Sequence, residues 1–150
     1  MAETPTSNIH MPPQAVDAEM AAMGALLIEM HAANTVFEML EESAFYKEAH
    51  RKIFVAARQL YERSEPIDIL TVSEELNKSG DLEKIGGSYY LTELVERTPS
   101  AANVEHYCRI IINKALLRKL IHVSGEIQQE CYEASEDRKS TRLNSSHRIR

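Results

Sequence analysis

Few residues in this 150-residue chain combine the types and spacing that chemistry requires. His50 is the strongest candidate. It shares a helical stripe with Ile53, Phe54 and Ala57, where a general base or a metal ligand can be held, yet spacing alone sets no carboxylate or cysteine beside it. A structural histidine is the preferred reading, and His31, His106 and His122 stand singly. The carboxylates Glu74, Glu75, Asp81 and Glu83 match an acid–base pair in type, but on short helices a solvated face is the commoner role. Tyr89-Tyr90 offers rings on which bases stack; without a basic groove beside them, one of the two is assigned to the core. Cys108 and Cys131 form no C-x-x-C and have no histidine pair at zinc spacing, so both are expected to pack as small apolar residues in a reducing compartment.

Nor is there a phosphate-holding loop. A Walker loop needs G-x-x-x-x-G-K-[ST], and none of Gly24, Gly80, Gly86, Gly87 and Gly125 is followed by lysine. The Gly86-Gly87 pair is expected to punctuate helices. No catalytic residue, cofactor-binding residue or metal ligand is assigned.

Composition suits one domain, with 43% hydrophobic residues to fill a core. No stretch approaches the roughly 18 apolar residues of a membrane span, and the polar, proline-bearing start is unlike a signal peptide, so a cytoplasmic protein is expected. Charge is uneven. Residues 137–150 hold five basic residues against Asp137 alone, so a tail of +4 conceals a body of −10 beneath the overall −6. An acidic body is a poor surface for DNA and suits protein partners.

The elements that would carry these residues are helical. Residues 1–13, with Pro12-Pro13, are expected to be a flexible arm. Val16, Met20, Met23, Leu27 and Met30 follow helical spacing, and Gly24 inside that helix suggests a close helix contact, since glycine there costs about 1 kcal/mol relative to alanine. Asn34 is expected to cap a helix over Thr35 to Glu41. Lys47 to Arg63 is strongly amphipathic and is expected to run until Pro66 stops it; Ile53, Phe54, Ala57, Leu60 and Tyr61 form the stripe, with Lys52, Arg58, Gln59 and Glu62 facing away. Thr71-Val72-Ser73-Glu74 has capping-box spacing, with Asp68 as a competing start, and Gly80 offers the left-handed end. Ser88 is expected to cap Tyr89 to Arg97, ended by Pro99. From Asn103 to Ala134 no proline intervenes: Val104, Tyr107, Cys108, Ile111 and Ala115 give way to Leu116, Leu120, Val123, Ile127 and Cys131. Only "IDILTV" is strand-like.

Several ordered motifs then stand together: Pro12-Pro13 before Ala22-Met23-Gly24-Ala25-Leu26-Leu27, Ala49-His50-Arg51 leading to Ile53-Phe54, Asp68 and Thr71 before Glu74-Glu75-Leu76, Gly86-Gly87, Pro99-Ser100-Ala101-Ala102-Asn103, and Lys114 to Arg118. From about Pro12 to about Glu136 the chain resembles the amino-terminal domain of the bacterial replicative DNA helicase, the DnaB family. The resemblance implies an all-α fold: a compact multi-helix head over residues 14–100, then a long helix over residues 101–136 that would be the first arm of a helical hairpin. It implies six such domains in a collar above the motor ring, joined largely as pairs through their hairpins, with primase and in some lineages a helicase loader as partners in the replisome. ATP and magnesium belong to the family's second, RecA-like motor domain, whose Walker loop, catalytic glutamate and arginine finger have no matching positions here. The chain by itself is thus expected to be inactive, with DNA reached only through that missing domain and no membrane partner.

Residues 137–147, "DRKSTRLNSSH", depart from the family where the second hairpin helix is expected, and they look like an in-frame translation of a short-read sequencing adapter. Residues 137–150 are expected to be disordered and non-native. Taken as real, this basic tail supports an alternative, a small nucleic-acid-binding module. A small enzyme built on His50 ranks last. With no second helix to cover them, Leu116, Leu120, Val123 and Ile127 are the candidate interaction residues.

Overall fold

The computed structural model describes residues 10–148, with side chains for residues 10–138. Most of the expected N-terminal arm lies outside the described residues. Seven α-helices follow in order: α1 (Val16–Ile28), α2 (Met30–Met39), α3 (Glu48–Glu62), α4 (Ile69–Lys78), α5 (Leu82–Ile85), α6 (Gly87–Glu96) and α7 (Val104–Arg148), with a 3-10 turn at Glu42–Ala44. No strand occurs among the described residues, and "IDILTV" opens α4.

The stripe on α3 is the centre of the core: Ile53, Phe54, Ala57 and Leu60 are buried with Ala56 and His50. The Phe54 ring lies 5.2 Å from Phe45 and 5.5 Å from Phe37, and Phe37 meets Tyr61 at 4.8 Å. Tyr61, expected in the stripe, stays 40% exposed because it closes this aromatic row at the surface. The close contact at Gly24 is present: a methyl group there would run into the Leu94 carbonyl of α6 and the Thr98 side chain.

Boundaries differ from the sequence reading where local signals compete. The first helix stops at Ile28, because Glu29 is extended (φ −132°, ψ 134°), and Met30 opens α2 instead of closing α1. Asn34 therefore lies inside α2 and caps nothing. Helix α3 ends before Pro66: Ser64 takes a left-handed φ of 57°, the Ser64 N–H donates to the Tyr61 carbonyl and Glu65 N–H to that of Leu60. At α4 the cap is Asp68. Its carboxylate accepts from Thr71 N–H at 2.9 Å while the Thr71 hydroxyl accepts from Asp68 N–H at 2.9 Å. Gly80 has the expected left-handed φ of 76°. Ser88 caps nothing; it sits inside α6, its hydroxyl bonded to that of Ser73 at 3.2 Å.

The chain divides into two units, Met1–Ala115 and Leu116–Arg150. The boundary falls beyond residue 100, since Val104, Cys108 and Ile111 at the start of α7 belong to the first unit's core. In the second unit the helix continues to Arg148, so residues 137–148 are helical where disorder is expected from sequence. With no glycine or proline there, each residue extends a helix already nucleated.

Candidate functional site

Two places gather the residues singled out by sequence. The first is inside the head. Glu19 of α1, His50 of α3 and Tyr90 of α6 form a hydrogen-bonded row: His50 Nδ1 lies 2.9 Å from Glu19 Oε1 and Nε2 lies 2.6 Å from the Tyr90 hydroxyl. The Tyr46 and Lys47 N–H groups at the entry to α3 donate to the same carboxylate at 2.9 and 3.2 Å. Lys47 Nζ, 4.8 Å above the Tyr90 ring, donates to its hydroxyl at 3.4 Å.

His50 does have a carboxylate partner, which spacing along the chain cannot reveal. A signal was available in α1: Glu19 stands three and four residues before Ala22 and Met23, on a face that buries both. His50 and Glu19 are 0% and 1% exposed, so no substrate reaches them. Their chemistry is the mutual satisfaction of groups that would be costly alone in an apolar interior, and they tie three helices together. No described side-chain N or O that is buried lacks a partner.

The acidic run is not uniformly solvated. Arg63 donates two bonds to Glu75, at 3.0 and 2.7 Å, and two to Glu65, at 3.1 and 3.2 Å. These bonds hold both carboxyls below the usual carboxylate range and raise the guanidinium further. Asp81 is held low chiefly by its bond from Lys52 at 2.9 Å, while Glu74 and Glu83 are exposed. Burial pushes the Cys108 thiol up to about 11, consistent with a packed apolar role, but Cys131 is exposed. Tyr89 is exposed and Tyr90 half-buried.

Neither nucleotide nor metal fits these groups. Gly86 and Gly87 are left-handed turn residues, and the Gly86 N–H is engaged by the Glu83 carbonyl at 3.1 Å, so it cannot cradle phosphate. No three His, Cys, Asp or Glu side chains converge as a metal set among the described residues. A cleft of about 650 Å³ beside α2 and α3 contains Arg51 and Arg58, but Arg51 Nε donates to the Phe45 carbonyl and Arg58 pairs with Glu62.

The second place is on α7. Leu116, Leu120, Val123 and Ile127 are 53%, 55%, 38% and 55% exposed. Successive steps of four, three and four residues align them along one side of the helix, the spacing of a coiled-coil seam. Leu117, Ile121 and Tyr132 are also exposed on α7. No described helix is long and apolar enough to cross a membrane.

Residues 11–113 match the family described as the DnaB-like helicase N terminal domain. The chain is a member of this family. It is 44% identical over 122 residues to the replicative DNA helicase DnaB of Geobacillus stearothermophilus, covering 81% of this chain and 27% of that protein. Against the Rhodothermus marinus DnaB it is 45% identical over 127 residues, covering 85% of the chain and 13% of that protein. The chain thus spans well under a third of these helicases' length. The crystal structure of the N-terminal domain of DnaB helicase from Mycobacterium tuberculosis superimposes with a TM-score of 0.82 at 39% identity, over 84% of this chain and 90% of that one. The N-terminal domain of DnaB helicase from Helicobacter pylori, a structure that also concerns that domain's interactions with primase, gives a TM-score of 0.67 at 23% identity, over 77% of this chain and 90% of that one, and supports the fold. DnaB membership favours the helicase reading over the nucleic-acid-binding alternative, whose basic side chains beyond Arg138 lie outside the described residues.

Proposed function

We propose that this chain is the assembly and docking module of a replicative DNA helicase, and that Leu116, Leu120, Val123 and Ile127 form its contact surface. The carrying observation is that stripe: four aliphatic side chains at seam spacing, exposed on a helix of a DnaB-family domain. Leaving such a side chain in water costs roughly 1.5 to 3 kcal/mol relative to burial, so the stripe favours a protein partner. In the cytoplasm of a bacterium the partners would be further copies, in a hexameric collar, and primase, with a helicase loader in some lineages. ATP, magnesium and DNA would be handled by a motor domain elsewhere in the complete helicase, and this chain alone would hydrolyse no ATP.

Sedimentation over a concentration series, with and without purified bacterial primase, tests this reading. The unmodified chain should associate with itself or with primase, and Leu120→Glu with Ile127→Glu should abolish the association while circular dichroism shows the head still folded. A chain that remains monomeric at high micromolar concentration and ignores primase would overturn the proposal.

A further inference from the structure

Tyr90 stands where the buried row of the head meets solvent. Glu19 and His50 are sealed, Tyr90 is half-buried, and Lys47, whose Nζ reaches the Tyr90 hydroxyl at 3.4 Å, is exposed. The hydrogen-bond partners fix one consistent arrangement of protons along the row. The Glu19 carboxylate already accepts from the Tyr46 and Lys47 N–H groups and can only accept, so His50 Nδ1 carries the hydrogen that it donates at 2.9 Å. The neutral ring then offers Nε2 as an acceptor, and the Tyr90 hydroxyl donates to it at 2.6 Å while accepting from Lys47 Nζ.

A hydroxyl within hydrogen-bond reach of a base, with that base oriented from its far side by a carboxylate, is the arrangement that activates a weak nucleophile. We infer that Tyr90 is a covalent modification site: a phenolic nucleophile that takes acyl groups from activated acyl donors such as aryl esters and acyl phosphates, with His50 as its general base and Glu19 as the positioning residue. None of the α7 residues takes part, so the site stands or falls apart from the assembly surface.

In the step, Tyr90 Oη attacks the acyl carbonyl carbon and forms a C–O bond, while the bond from that carbon to the leaving group breaks and the leaving group departs with the electron pair. The phenolic proton passes to His50 Nε2, the resulting imidazolium faces the Glu19 carboxylate, and the proton is then handed on to the leaving group or to water. The product changes the head as well. An aryl ester has no hydrogen to donate, so His50 Nε2 loses its donor and the link from α3 to α6 is undone.

The test uses p-nitrophenyl acetate on the full chain, with the label located by peptide mass spectrometry. By exposure alone, Tyr89, 80% exposed on the neighbouring position of α6, should react first and half-buried Tyr90 should lag. Activation reverses that order: Tyr90 should label at least about tenfold faster than Tyr89, as an ester that hydroxylamine removes and not as a lysine amide. His50→Gln keeps a polar side chain but removes the base, and should slow Tyr90 about a hundredfold with Tyr89 unchanged as the internal reference. Glu19→Gln, which fills the same space without balancing an imidazolium, should slow Tyr90 at least about tenfold. Loosening of the head would expose Tyr90 and speed its labelling, so a slower rate reports the lost base and not lost structure. Tyr89 labelled ahead of Tyr90 in the unmodified chain would overturn the inference without requiring any variant to fold, and so would a Tyr90 rate in His50→Gln equal to or above that of the unmodified chain.

Discussion

The head and the exposed stretch of α7 use the same aliphatic residues for opposite ends. Leu91, Leu94, Ile53 and Val36 are sealed in the head, where helices from distant parts of the chain cover them. Leu116, Leu120 and Ile127, no less apolar, are each more than half exposed. Hydrophobic periodicity identifies a face that needs cover, and it does not name the cover. In the head the cover is intramolecular and includes a polar device, the Glu19–His50–Tyr90 row; on α7 the same kind of face stays exposed.

That contrast can be broken most severely through Glu19. Glu19→Ala leaves the buried His50 Nδ1 and the part-buried Tyr46 and Lys47 N–H groups without their acceptor, and should cost about 3–5 kcal/mol in urea unfolding. A loss below about 1 kcal/mol would mean that water reaches the row. A comparable loss is expected for Phe54→Ala, about 3–5 kcal/mol for a buried ring and the void it leaves, against under about 0.5 kcal/mol for Arg58→Ala at the surface. Equal midpoints for the two variants would contradict the packing of α3.

Acid should separate the regions more gently. Glu75, Glu65 and Asp81 have folded-state pKa values lowered by Arg63 and Lys52, so their contribution is complete above about pH 4.5, the ordinary value for Glu65 and Glu75, and is lost as pH falls through the lowered values. Arg63→Gln should flatten the acid limb of the head's stability curve, which a urea titration at stepped pH measures; an unchanged limb would show that this cluster is not what acid disrupts. The smallest effect is expected on α7: Leu120→Glu with Ile127→Glu should leave the head's unfolding free energy within about 0.5 kcal/mol of the unmodified chain. A loss as large as that of Phe54→Ala would show that the stripe already supports the head's fold.

Rules that act over three or four residues made much of the fold legible in the sequence alone. The all-α class, the stripe of α3, the left-handed turn at Gly80 and the close contact at Gly24 follow from periodicity, from glycine's missing Cβ and from backbone sterics, which travel with the sequence. The α7 stripe was legible for the same reason, as spacing on one helix.

Only the tertiary structure decided which distant groups meet. Glu19 and His50 are 31 residues apart, and Arg63 and Glu75 are 12 apart across a turn, so no local pattern pairs them. Two locally acceptable caps competed at α4, and the fold selected Asp68 over Thr71. Tyr61 and Cys131, apolar by periodicity, stay at the surface because burial depends on what arrives from elsewhere in the chain to cover a face. The physical reason is one of range: helix formation is governed by neighbours in sequence, whereas burial and ion pairing are governed by neighbours in space.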